Sequence, residues 1–120
     1  MLEKVSLLQK FEMIQKYWEP RIAGEINDTW VKLAKFKDEF VWHHHDDEDE
    51  MFLVVKGHLR IELRDGIVEL DPGEFVIVPR GVEHRPVAGE EVHCILIEPK
   101  SVLNTGNVRN QRTLDTLERI

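Results

Sequence analysis

The run FVWHHHDDEDEMFLVVKG occupies residues 40–57. It places three consecutive histidines before five acids, then an apolar stretch that stops at a glycine. Side chains alternate between the two faces of a strand. If Phe40–His45 is a strand, Val41, His43 and His45 share one face, and Phe40, Trp42 and His44 share the other. Two imidazoles on one face can converge on a cation; three consecutive ones cannot. A turn over Asp46–Asp49 starts a new strand at Glu50, in phase with Phe52 and Val54. A hairpin then returns the Glu50 carboxylate to the His43/His45 face. His84 follows the Pro79-Arg80-Gly81 turn and is placed to supply a fourth group. Three imidazoles and one carboxylate suit one divalent transition metal: Fe, Mn, Ni, Zn or Cu. Four protein ligands leave two positions of a six-coordinate ion open to water or substrate. The run is internal and flanked by strand residues, so it is not a purification tag.

Outward from this run, the chain reads as short antiparallel strands. His58–Arg64 alternates, with Leu59, Ile61 and Leu63 on one face and His58, Arg60, Glu62 and Arg64 on the other. Asp65-Gly66 marks a two-residue hairpin turn. Turn chemistry recurs at Asn27-Asp28, Asp38-Glu39, Asp71-Pro72-Gly73, Pro79-Arg80-Gly81 and Ala88-Gly89. Eight or nine strands at such spacing predict an all-β antiparallel sandwich or barrel. Met51–Val55 and Phe75–Val78 are apolar on both faces, with Phe52, Val54, Phe75 and Ile77 assigned to the barrel core. Their second faces need cover, and a second copy of the chain is the expected cover, so a homodimer is predicted. Before the strands, Ser6 and Gln9 stand at capping-box spacing, and the apolar rhythm predicts a helix over 7–18, stopped before Pro20. Leu114, Leu117 and Ile120 are spaced for a short helix or a docked arm. The organisation is a leader (1–20), a barrel (21–100) and an arm (101–120).

The bulk composition narrows the function. The chain has 120 residues, 42% hydrophobic and 32% charged, which fits one globular domain. A formal net charge of -7 repels polyanions, so nucleic-acid binding is disfavoured. No apolar run is long enough to span a bilayer, and the N-terminus lacks the pattern of a signal peptide. Cys94 is the one cysteine, which rules out an internal disulfide or a cysteine-based zinc cluster. A cytoplasmic protein is expected.

Two motifs together resemble the cupin family. His43-x-His45-x4-Glu50-x6-Gly57 resembles the first cupin motif, and Gly73-x5-Pro79-x-Gly81-x2-His84 the second. The resemblance covers roughly residues 29–98. It implies an antiparallel double-sheet barrel (a jelly roll) with the metal near one mouth, His43, His45, Glu50 and His84 as its ligands, and Gly57 and Gly73 at turns that need positive φ. It also implies that Glu50 can leave the metal to act as a catalytic base. Lys37 stands where the first motif expects a glycine, so Asp38-Glu39 is expected to make that turn. Ala88 stands where an asparagine is common.

The remaining polar residues read as ordinary ones. His44 is expected to face outward, Asp46–Asp49 to form a solvated loop, and His58 to lie on the surface. The inward register of Val92–Ile97 is open, so His93 or Cys94 lines the cavity. Trp18, Trp30 and Trp42 read as packing. Arg80 and Arg85 flank the His84 turn but make no basic cluster for phosphate. The resemblance implies an isomerase or dioxygenase acting on a small oxygen-rich metabolite, sugar-like or a carboxylate, chelated at the metal. The alternative is a non-catalytic small-molecule binding module. The discriminating feature is an acid or base within reach of the metal that is not itself a ligand, and the sequence names no such group.

Overall fold

The computed structural model describes residues 2–120. A short helix α1 (Leu7–Glu12) precedes seven strands: β1 (Arg21–Ile26), β2 (Thr29–Glu39), β3 (Glu50–Lys56), β4 (Leu59–Leu63), β5 (Gly66–Leu70), β6 (Phe75–Val78) and β7 (His84–Pro99). All pairings between strands are antiparallel. One sheet runs β1-β2-β7-β3-β6, while β4 joins β5 to the first part of β7. The sixteen residues of β7 therefore serve both sheets. They pair with β4 through His84–Val87 and with β3 through His93–Ile97. The two sheets enclose an interior lined by Phe36, Phe52, Val54, Leu59, Ile61 and Leu96, all buried. Ser6 caps α1 by accepting from the Gln9 amide, as its spacing predicts.

The turns explain the register. Asn27 adopts φ 51 in the β1–β2 turn, a conformation asparagine tolerates. Gly57 and Gly73 sit at φ 89 and 86, as expected of both. A Cβ on Gly57 would lie 2.6 Å from the Glu91 carbonyl oxygen, so glycine is required there for space as well. Asp38 has φ 66 beside a break in the β2–β7 register, so it takes the turn that Lys37 cannot. The β4–β5 turn falls at Arg64-Asp65, one residue earlier than Asp65-Gly66, because Leu63 pairs with Gly66.

Four further expectations are corrected. The helix ends at Glu12 rather than Trp18, since the chain then turns to pair with β2. There the Trp18 amide donates to the Lys35 carbonyl at 2.9 Å, and its indole N–H donates to the Lys37 carbonyl at 2.8 Å. The Trp18 ring stacks on Phe36 and Phe40 with centroids 4.4 and 4.9 Å away. Phe40–His45 is not a strand; its one ladder contact is the His43–His84 bridge, and Phe40 turns into the core. Phe75 and Ile77 are not core but 58% and 52% exposed. Pairing of Glu50 with Val78 and Phe52 with Val76 puts Val76 and Val78 on the interior side instead. Finally, the second face of β3 is partly covered from within the chain. Phe11 and Ile14 pack with Leu33 and Ile95 outside the sheet, against Leu53, Val55 and Ile120. The tail is a docked arm, with the Ile120 amide donating to the Ile22 carbonyl at 3.0 Å.

Candidate metal centre

The backbone brings the two motifs together before any side chain acts. His43 and His84 exchange amide-to-carbonyl hydrogen bonds of 3.0 and 2.9 Å, and the Gly81 amide donates to the His45 carbonyl at 2.7 Å. The Asp49 carboxylate accepts from the Arg80 amide at 2.9 Å, tying the acidic loop to the turn before His84. His43, His45, Glu50 and His84 thereby converge, with one ligand atom of each within 4.8 Å of the other three. All four side chains are buried.

Their hydrogen bonds aim them. His43 and His84 each place Nδ1 2.9 Å from the carbonyl of the residue two before, Val41 and Val82. Nδ1 must be the protonated nitrogen there, leaving both Nε2 lone pairs free to bind a metal. The Glu50 Oε1 lies 3.4 Å from the Nε2 of both His45 and His84, beyond the usual range of a good hydrogen bond. Those three atoms are buried without partners. A bond of roughly 2.1 Å puts opposite ligands roughly 4.2 Å apart, so a contraction of a few tenths of an ångström would seat an ion. Buried orphan nitrogens facing an orphan carboxylate oxygen are the arrangement a cation completes, and the residues fit one.

The electrostatics agree. Burial, then the neighbouring His84, lower the His43 pKa to about 4, so the ring stays neutral and able to coordinate. Burial alone would push Glu50 up. The neighbouring Glu98 carboxyl, then the His45 and His84 rings, instead hold it well below the usual carboxylate range.

Glu98 is the residue that the sequence did not disclose. It is 2% exposed, and its Oε1 accepts from the Lys32 Nζ at 2.7 Å, with Lys32 only 1% exposed. Burial, then the adjacent Glu50 charge, push its carboxyl well above the ordinary range, with Lys32 opposing. Its other oxygen, Oε2, is buried without a partner. Glu98 lines a cavity of about 30 Å³ together with His43, Glu50, Phe52, Leu96 and Trp18. The one trace of the pair in the sequence is parity. Lys32 is in phase with Trp30, Ala34 and Phe36, and Glu98 with Cys94 and Leu96.

The other candidates fall outside the centre. His44 points away and bonds Asp46 at 2.8 Å, while Glu48 accepts from Ser101 at 2.7 Å. His58 lies outside between Asp71 and Glu69. Cys94 faces the core and burial raises its thiol pKa far above the ordinary value; His93 faces out and stacks on Phe11 at 4.7 Å. Arg85 engages Glu62 and Glu39, and Arg80 pairs with Asp49, so neither enters the cavity. Trp42 is flanked by Arg64 and Arg85 at 3.8 and 5.4 Å. Gly106 of the arm abuts the centre: a Cβ there would meet the His44 carbonyl oxygen at 2.2 Å.

Comparison with known proteins accords with this geometry. Uncharacterized protein YdbB of Bacillus subtilis is 42% identical over 63 residues, covering 52% of this chain and 56% of YdbB. Acireductone dioxygenase of the same organism is 28% identical over 93 residues, 68% of this chain and 52% of the enzyme. The chain thus spans about half the length of the curated relatives it matches. A cupin-2 domain containing protein from Shewanella frigidimarina has a solved structure similar at TM-score 0.79 and 44% identity, covering 80% of this chain and 94% of that one. The family model described as Cupin domain matches residues 29–98. With the two motifs, the antiparallel barrel and the His/Glu cluster all in place, this chain belongs to the cupin family.

Proposed function

We propose that this chain is a metal-dependent cupin enzyme acting on a small oxygen-rich metabolite, sugar-like or a carboxylate, by isomerase- or dioxygenase-type chemistry. His43, His45, Glu50 and His84 would hold one divalent ion of Fe, Mn, Ni, Zn or Cu. When bound, the ion supplies Lewis-acid polarisation of a chelated oxygen, or redox chemistry with iron. The observation that carries the reading is Glu98, a buried carboxyl outside the ligand set that shares a cavity with two of the ligands. A group that can accept or return a proton beside the reacting centre is what a plain binding module does not need. Glu50 and Glu98 line the same cavity. The likeness to acireductone dioxygenase supports an enzyme as well.

Elemental analysis of untagged protein tests the first half. Less than a tenth of an equivalent of any transition metal, with no metal-induced rise in melting temperature, refutes it. Proton NMR of the loaded protein with a panel of sugars, sugar acids and hydroxy acids tests the second. Turnover is expected, and its loss in a metal-retaining Glu50→Gln variant. Binding without turnover across the panel favours the binding module.

The same proposal includes a homodimer and a cytoplasmic location. Phe75 and Ile77 stand exposed on the sheet's outer face, beside half-buried Met51 and Leu53 on β3, and β6 is an edge strand. A second copy would cover them. A light-scattering mass of one chain at micromolar concentration overturns this. Among the described residues no helix is long and apolar enough to cross a membrane.

A further inference from the structure

Trp18 sits in the left-handed region at φ 62, where a bulky side chain is strained and glycine is the default residue. Such strain persists only where the surroundings over-determine it, and it clusters at sites that bind and react. Here the surroundings do so. The Trp18 amide donates to the Lys35 carbonyl at 2.9 Å, and the indole N–H to the Lys37 carbonyl at 2.8 Å. The ring stacks on Phe36 and Phe40. Its neighbour Tyr17 stays outside, where the hydroxyl donates to Glu91 at 2.7 Å, while the Trp18 ring goes inward and is 8% exposed.

The inward position matters because of what it borders. Trp18 lines the cavity of about 30 Å³ that holds His43 and Glu50, and so do Phe36 and Phe40, the two rings it stacks on. The space the indole fills is therefore continuous with the space beside the cluster. A cavity of that volume holds about two groups of water size. Trp18 carries the largest side chain in the lining, so it decides how much room is left. It also comes from outside residues 29–98, the part that matches the family model. The leader thus adds a wall to a cavity whose metal-binding groups the barrel supplies.

We propose that Trp18 is a specificity-determining residue whose indole sets the size limit of this cavity and restricts the ligand to chelating molecules with a small body. This rests on the metal reading above and deepens it. A ring that only filled the core would change stability and leave the choice among ligands as it was.

The test uses the cobalt(II)-loaded protein, whose visible absorption reports ligand arrival independently of turnover. Hydroxamates chelate through two oxygens, matching the two positions that four protein ligands leave open. Wild-type protein is expected to bind acetohydroxamate at least tenfold more tightly than benzohydroxamate. Trp18→Gly removes the ring and suits the positive φ, so the backbone is relieved rather than disturbed. In that variant the preference is expected to fall at least tenfold, through tighter binding of benzohydroxamate. Trp18→Phe keeps an aromatic ring against Phe36 and Phe40 and is expected to lower the preference by a smaller factor. It carries the test if the glycine variant does not fold. An unchanged preference with one equivalent of cobalt bound overturns the proposal. Wild-type protein that takes up cobalt but binds both hydroxamates equally overturns it with no variant needed. Wild-type protein that takes up no cobalt overturns the metal reading and this inference together.

Discussion

The His43–His45–Glu50–His84 cluster and the Lys32–Glu98 pair share one interior and meet at one cavity, yet they are built in opposite ways. The cluster comes mainly from a loop and from strand starts, and its chemistry is set by short sequence spacings. The pair is assembled across two long strands, from residues 66 apart in the chain. In the cluster, atoms of His45, Glu50 and His84 are buried without partners. The pair is complete on one side and open on the other. The difference teaches that a cluster of metal-binding side-chain types is legible in short spacings, while a buried pair such as this one is a product of tertiary register.

Breaking the pair on one side gives the largest effect. Glu98→Leu alone leaves the Lys32 ammonium buried and uncompensated, and a loss of about 3–5 kcal/mol is expected in urea unfolding. Lys32→Met/Glu98→Leu is expected to lie within about 1 kcal/mol of wild type, or above it. If the single and double variants are equally destabilised, the two residues are not a coupled pair.

Acid separates the two sites further. His43 titrates near 4 in the folded chain and near 6.5 when unfolded. Above 6.5 both states are neutral and the shift has no effect. As pH falls from 6.5 towards 4 the unfolded chain takes up the proton first, so metal-free protein loses up to about 3 kcal/mol from this group. The difference between wild type and His43→Gln in urea unfolding across that window measures it. An NMR titration should show the His43 ring neutral at pH 5.

Metal removal probes the cluster alone. Free metal at about a hundredfold its Kd is expected to stabilise the fold by about 2.7 kcal/mol, read as a rise in Tm reversed by a chelator. His84→Ala should abolish that rise. A rise that survives this substitution would place the ion elsewhere.

The smallest effect concerns the arm. Gly106→Ala combines φ 57 with a Cβ 2.2 Å from the His44 carbonyl oxygen. It is expected to cost at least about 1 kcal/mol and to weaken metal binding, measured by competition with a chromophoric chelator. An unchanged affinity would mean that the arm is not coupled to the centre.

Much of the barrel was legible because its signals are local. Gly57 and Gly73 announce positive φ, and Leu59 and Ile61 announce an inward face. The spacing of the motif residues survived even though Phe40–His45 forms no strand, since parity is kept by the His43–His84 bridge. Lys32 was not legible for a physical reason. β2 is buried on both faces, with Leu33 under α1 and Phe36 in the barrel, so alternation no longer separates inside from outside. A lysine in such a strand resembles the solvated Lys35 and Lys37. Phe75 and Ile77 misled in the converse way: apolar parity was equal on both faces of β6, and only pairing with β3 decides it. The helix overshot because Met13–Trp18 keeps an apolar rhythm that β2 captures for its own ladder.

β7 begins at His84 and carries Glu98 one residue before its end. One strand thus works as a ruler between a member of the His/Glu cluster at its start and the buried partner of Lys32 near its end. Inserting or deleting a single residue between them would turn one of the two outward while leaving the other in place. A chain whose β7 changed length by one residue would therefore have to give up one of these two placements at a stroke.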